Sequence, residues 1–114
     1  MEKLMAIRGA TTIETDCREE IERVSIELLN EIMRLNGLDE GDVVSLQIST
    51  TGDIASYYPA TALRLSGCKI PLFSSLEPHI EGSVSKCIRF LVLAYSSEKA
   101  SHVYLRNAKD LITT

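Results

Sequence analysis

Two arginines stand where a permanent charge is costly. Arg89 lies within Cys87-Ile88-Arg89-Phe90-Leu91-Val92-Leu93-Ala94, a segment otherwise almost wholly apolar, and a guanidinium buried without a partner loses far more hydration than packing returns. Something anionic must meet it, either a carboxylate of the protein or a ligand. Arg8 repeats the problem: it follows Met5-Ala6-Ile7 and precedes the small residues Gly9 and Ala10, which leave room above its head group. Taken alone, Arg8 also fits an edge-strand surface charge. Together the two suggest a site for a doubly charged anion, because the guanidinium fork holds carboxylates in a fixed plane. The thiols suggest no comparable chemistry. Cys17, Cys68 and Cys87 are odd in number and far apart, which fits neither a disulfide framework nor a zinc site, so they read as free and mostly buried. With His79 and His102 as the only histidines, no nucleophile–base pair or metal cluster is legible, and the scattered glycines form no phosphate-cradling loop.

Composition narrows the partners. A chain of 114 residues with net charge −4 lacks the basic field on which nucleic acids and anionic membrane surfaces depend, so any anion must be met by a few local cations. No segment approaches the roughly eighteen apolar residues of a membrane span. Met1-Glu2-Lys3 is not followed by a long apolar stretch and cleavage site, so a cytoplasmic protein is the expectation. The length suits one domain over residues 1–114.

The elements that must carry the arginines follow from periodicity. Leu4 to Gly9 reads as a first strand ending at a turn, with Thr11, Thr12, Thr15 and Asp16 supplying turn and capping chemistry. Asp16 and Glu19 form a capping-box-like start to a helix in which Ile21, Val24, Leu28, Ile32 and Leu35 recur at three and four, closing at Asn36-Gly37. Its polar face, Glu20, Arg23, Glu27, Glu31 and Arg34, reads as solvated surface. From Asp42 to Thr50, Val44, Leu46 and Ile48 alternate with Ser45, Gln47 and Ser49, the signature of a strand with one buried face. Pro59 opens a short helix running to Gly67, Ile70 to Ser75 reads as a third strand, and Cys87 to Tyr95 as a central strand packed on both sides. His102 to Leu105 makes a last short strand. This order predicts a mixed α/β (α+β) domain, with one long and one short helix on one face of a single sheet.

Four stretches in this framework resemble a known family. Ile7-Arg8-Gly9-Ala10-Thr11-Thr12 is similar to the opening of the monofunctional chorismate mutases of Bacillus-type bacteria, and Gly82-Ser83-Val84-Ser85-Lys86-Cys87-Ile88-Arg89-Phe90-Leu91 to their second signature. Tyr58-Pro59-Ala60-Thr61-Ala62-Leu63-Arg64 resembles their Phe-Pro-Ala-x-Ala-x-Arg segment, and His102-Val103-Tyr104-Leu105 their late His-Val-Tyr-Leu. The similarity spans nearly the whole chain in one order. It implies a homotrimer with a pseudo-barrel core, of the chorismate mutase/imine deaminase-like fold, with active sites between subunits and no metal or cofactor. The implied activity is the Claisen rearrangement of chorismate to prephenate in aromatic amino acid biosynthesis. Arg8 would bind a substrate carboxylate, Arg89 the ether oxygen of the breaking bond and a carboxylate, Glu77 the ring hydroxyl, and Tyr104 the side-chain carboxylate. Tyr58, Ala60, Thr61, Arg64, Phe73, Ser74, Ser75 and Leu76 would line the pocket, some from across the interface.

The chain departs from the family pattern in places. Thr51-Gly52-Asp53 replaces a Thr-Pro-Asp turn, Ser74 stands where cysteine is frequent, and Thr61 replaces a frequent lysine. After Leu105 the expected apolar tail ending in Leu-Arg-Pro is absent; Arg106 or Lys109 would have to supply the missing charge. The altered tail keeps open a non-catalytic trimer that binds chorismate-like dicarboxylates, and the shared fold keeps open an imine deaminase.

Overall fold

The computed structural model describes residues 2–113; Met1 and Thr114, at which the sequence reading begins and ends, lie outside the described residues. Five strands form one sheet: β1 (Lys3–Thr12), β2 (Val43–Thr50), β3 (Leu72–Leu76), β4 (Cys87–Ser96) and β5 (Val103–Tyr104). Their spatial order is β3-β2-β4-β1-β5, with β4 antiparallel to both β1 and β2 and the outer pairs parallel. Helices α1 (Arg18–Leu35) and α2 (Pro59–Leu65) cover one face. Ile21, Val24, Leu28 and Ile32 of α1, none of them exposed, pack on Ile7, Ile48, Ile88, Phe90 and Val92 of the sheet. This is the α+β architecture that the alternation of periods two and three-to-four predicts.

The first strand runs ten residues rather than stopping at Gly9. Gly9 is not a turn residue. A Cβ built there would lie 2.5 Å from Ile32 Cδ1 and 3.3 Å from Leu28 Cδ1, so the glycine lets α1 settle on β1 while the strand continues through buried Thr11 and Thr12. The helix start also differs from the capping box. Cys17 is the N-cap and offers no side-chain bond. Asp16 instead accepts from the N–H groups of Ala55 and Ser56 and from the Ser56 hydroxyl, while Glu20 accepts from the N–H groups of Glu14 and Thr15. The polar face of α1 is therefore more than solvated surface: Glu20 secures the incoming chain, and Glu27 pairs with Arg106. At the other end Gly37 takes φ +60 and closes the helix as expected.

In β2 the register shifts between Val43 and Ser45, a bulge that turns Val43 inward and leaves Val44 44% exposed. The simple alternation therefore fails at its first residue. Strand β4 is central, but beyond Cys87 it is packed on one side only within the chain. Ile88, Phe90, Val92 and Ala94 meet the helices, whereas Arg89, Leu91, Leu93 and Tyr95 point to the open face. The last segment, Arg106–Thr113, forms a 3-10 turn that the sequence did not suggest. It brings Ala108 and Leu111 against Ala10, Cys87, Val84 and Tyr104 on that second face.

Candidate active site on the open sheet face

Antiparallel register and two-residue periodicity bring the two arginines to one face. Arg8 opposes Leu91 and Arg89 opposes Ala10 across the β1–β4 pair, so Arg8, Ala10, Arg89 and Leu91 share the side away from the helices. On the other flank of β4, Ser49 opposes Arg89, and Ser75 opposes Ser49. Glu77 continues the ladder one step past β3, its N–H donating to the Thr50 carbonyl at 2.9 Å, and so falls on the same face as Phe73 and Ser75.

Here Arg89 meets the carboxylate its strand demands. Its Nε lies 2.7 Å from Glu77 Oε1, but the N–H does not aim at the oxygen, so the contact is ionic rather than an aligned hydrogen bond. The Ser49 hydroxyl donates to the same Oε1 at 2.8 Å. The carboxylate side chain is 16% exposed and the guanidinium side chain 41%. The pair is thus half-open, and beside it lies a cavity of about 440 Å³ lined by Arg8, Gln47, Ser49, Phe73, Ser75 and Arg89, among others. Arg89 thus has a carboxylate partner inside the chain at Nε and also lines a cavity that a ligand could enter.

The arginines are held by backbone anchors. The Arg8 N–H donates to His102 Nδ1 at 3.0 Å, tying β1 to the segment just before β5. Just before Arg89, the Cys87 N–H donates to Thr51 Oγ1 at 2.9 Å and the Lys86 N–H to the Asp53 carboxylate at 2.9 Å, fixing the left-handed turn at Lys86 (φ 48) from which β4 starts. Burial pushes the Asp53 carboxyl up, but the Thr51 hydroxyl and the Lys86 N–H outweigh it and leave the group below its ordinary value. Cys87 is fully buried, and burial pushes its thiol up to about 11 against the pull of Arg89. Such a thiol stays protonated and unreactive.

The remaining expected pocket residues fall elsewhere. Tyr104, half-buried on β5, pairs with Ala10 and packs in the small cluster under the 3-10 turn, next to the arginine face. Ser74 and Leu76 alternate to the other side of β3, where with Tyr58, Pro59 and Ser75 they line a second cavity of about 450 Å³. Ala60 is buried in α2, and Thr61 and Arg64 lie on that helix lining neither cavity. Within one chain neither tail cation lines the arginine cavity. Arg106 donates to Thr11 Oγ1 at 3.1 Å and pairs with Glu27 toward α1, and Lys109 lies with Glu27 and Glu31 on the outer surface. Ser49 and His102 have clear contacts that sequence reasoning did not assign; the strand alternation exposes Ser49, but only pairing with β4 places it opposite Arg89.

This α+β chain sets two arginines on one cavity, with a carboxylate against one of them, an arrangement able to hold a small anion by preorganised electrostatics. Residues 4–113 match the family model for chorismate mutase type I, and the chain belongs to that family of isomerases. It is 36% identical over 107 residues to chorismate mutase AroH of Bacillus subtilis (strain 168), covering 90% of this chain and 84% of the relative. It is 37% identical over 110 residues to the AroH of Thermus thermophilus, covering 92% and 90%. Among solved structures, a chorismate mutase from Clostridium thermocellum superposes with TM-score 0.89 at 35% identity, covering 93% of this chain and 98% of that one.

Proposed function

We propose that this chain, acting as one domain over residues 1–114, rearranges chorismate to prephenate in the cytoplasm, with Arg8, Glu77 and Arg89 forming the charged centre of the site. The carrying observation is the shared cavity lined by both Arg8 and Arg89, with Glu77 set against Arg89 at Nε. In a concerted rearrangement with carbon–oxygen cleavage ahead of carbon–carbon bonding, negative charge gathers on the ether oxygen and positive charge on the ring. The Arg89 guanidinium stabilises the first and the Glu77 carboxylate the second. Charges already in place need no reorganisation, and a comparable donor contributes about 3–4 kcal/mol at the transition state. Arg8 and Tyr104 hold the two carboxylates so that the flexible substrate keeps its compact reactive shape. No proton is transferred, so no general base is required.

The working unit is a homotrimer. Support comes from the open face, where Leu4 (54%), Phe73 (67%) and Tyr95 (47%) are exposed beside half-buried Leu91 and Leu93, an apolar surface that a second copy would cover. The division of pocket residues gives further support. Arg8, Glu77 and Arg89 lie on one side of the edge strand β3, Tyr58 and Ser74 line the cavity on the other, and Arg64 lies apart on α2. A site using both sets therefore draws them from neighbouring copies. The family and relatives' names favour the mutase over the sensor and deaminase readings. Loss of chorismate absorbance by the purified protein, with its mass measured by light scattering, tests the proposal. Turnover by a trimer is expected; tight chorismate binding without conversion would leave the sensor reading in its place.

A further inference from the structure

The same Glu77 oxygen receives both the Arg89 contact and the Ser49 hydroxyl. A carboxylate on the loop after an edge strand could swing around its side-chain bonds, and the Arg89 contact is poorly aligned to stop it. The Ser49 bond supplies the missing direction. Ser49 sits on β2 between β3 and β4, directly opposite both Arg89 and Ser75, so its hydroxyl rises from the floor of the arginine cavity. We propose that Ser49 is a positioning residue for the rearrangement: by pinning Glu77 Oε1 it turns Oε2 toward the substrate and keeps the carboxylate from closing over the terminal nitrogens of Arg89. This role rests on the assignment of the site to chorismate.

The orientation matters most when charge develops, so its loss should fall on kcat rather than on KM. Hydrogen bonds to ionised groups are among the stronger ones, and removal of this one is expected to lower kcat about tenfold to thirtyfold. The test compares the parent, Ser49→Ala, Ser49→Thr, Glu77→Ala and the double variant Ser49→Ala/Glu77→Ala, each checked for unchanged melting. Ser49→Thr keeps a hydroxyl on a residue suited to strands and should recover most of the rate. In the Glu77→Ala background, Ser49→Ala should lower residual turnover by less than about twofold, because the group it positions is gone. A merely structural serine would lower melting without this dependence on Glu77. Equal kcat for parent and Ser49→Ala, or an equal loss in both backgrounds, would overturn the positioning role alone. A parent with no turnover would overturn the site assignment and the role with it.

Discussion

Replacing Arg89 by lysine separates the charge of this residue from its shape. The guanidinium meets Glu77 through Nε at 2.7 Å, and the same side chain lines the cavity. A lysine has one nitrogen. It can remain with Glu77 and Ser49, or advance to the anion, but it cannot span both positions. Glu77 is only 16% exposed, so pairing with it is the lower-energy choice and the cavity loses its donor. Withdrawing one preorganised donor from the developing oxyanion costs about 3–4 kcal/mol, or two to three orders of magnitude in kcat. The folded state should hardly notice, since the charge opposite Glu77 persists and the pair is partly open to water; a change within about 1 kcal/mol is expected. Initial rates of chorismate loss give kcat and KM, and urea unfolding gives the stability. A folded Arg89→Lys variant with kcat within about tenfold of the parent would refute the reasoning that the fork, rather than a point charge, is required.

Gly9→Ala should destabilise the protein by about 1–3 kcal/mol in urea unfolding, because its methyl meets Ile32 and Leu28 in a packed core. Acidification should weaken the fold: Asp16 is held below its ordinary 3.8 by the Ser56 hydroxyl and then by the Ala55 N–H. The stability it adds is present above that value and lost as pH falls through the lower folded one, so melting should drop on acidification less steeply in Asp16→Asn than in the parent. Phe73→Asp places a charge on the exposed apolar face and should lower the mass seen by light scattering together with turnover. Native Cys87, with its thiol pushed up to about 11, should resist a disulfide reagent at pH near 8 until the protein is unfolded.

What the sequence disclosed follows from the range of the forces involved. The α1 stripe Ile21, Val24, Leu28 and Ile32 and the β4 run around Arg89 are local patterns, readable because one element repeats one environment. Gly9 misled because a glycine at a turn and a glycine beneath a helix leave the same local signal, and only the approach of Ile32 distinguishes them. Val44 misled because the bulge is set by pairing with β4, not by its own neighbours. The capping of α1 was likewise non-local, since Asp16 bonds residues 39 and 40 positions away. Arg8 and Arg89 announced themselves by the cost of their charge, whereas Glu77 alone is an unremarkable loop carboxylate and gained meaning only from the family resemblance.

The register also explains why stability and chemistry can be varied separately in so small a chain. Along β4, Ile88, Phe90 and Val92 face the helices while Arg89 and Leu91 face the cavity, so each step of one residue exchanges the two tasks. A one-residue slip of β4 against β2 would bury the guanidinium under α1 and expose three core side chains. The turn before Arg89 is tied in a manner suited to preventing that slip: Thr51 and Cys87 exchange bonds, with Cys87 N–H on Thr51 Oγ1 and Thr51 N–H on the Cys87 carbonyl, and Asp53 holds the Lys86 N–H. The family's proline in this turn is replaced by Gly52, which removes backbone stiffness. These side-chain bonds therefore carry more of the burden of keeping Arg89 on the face where an anion can reach it.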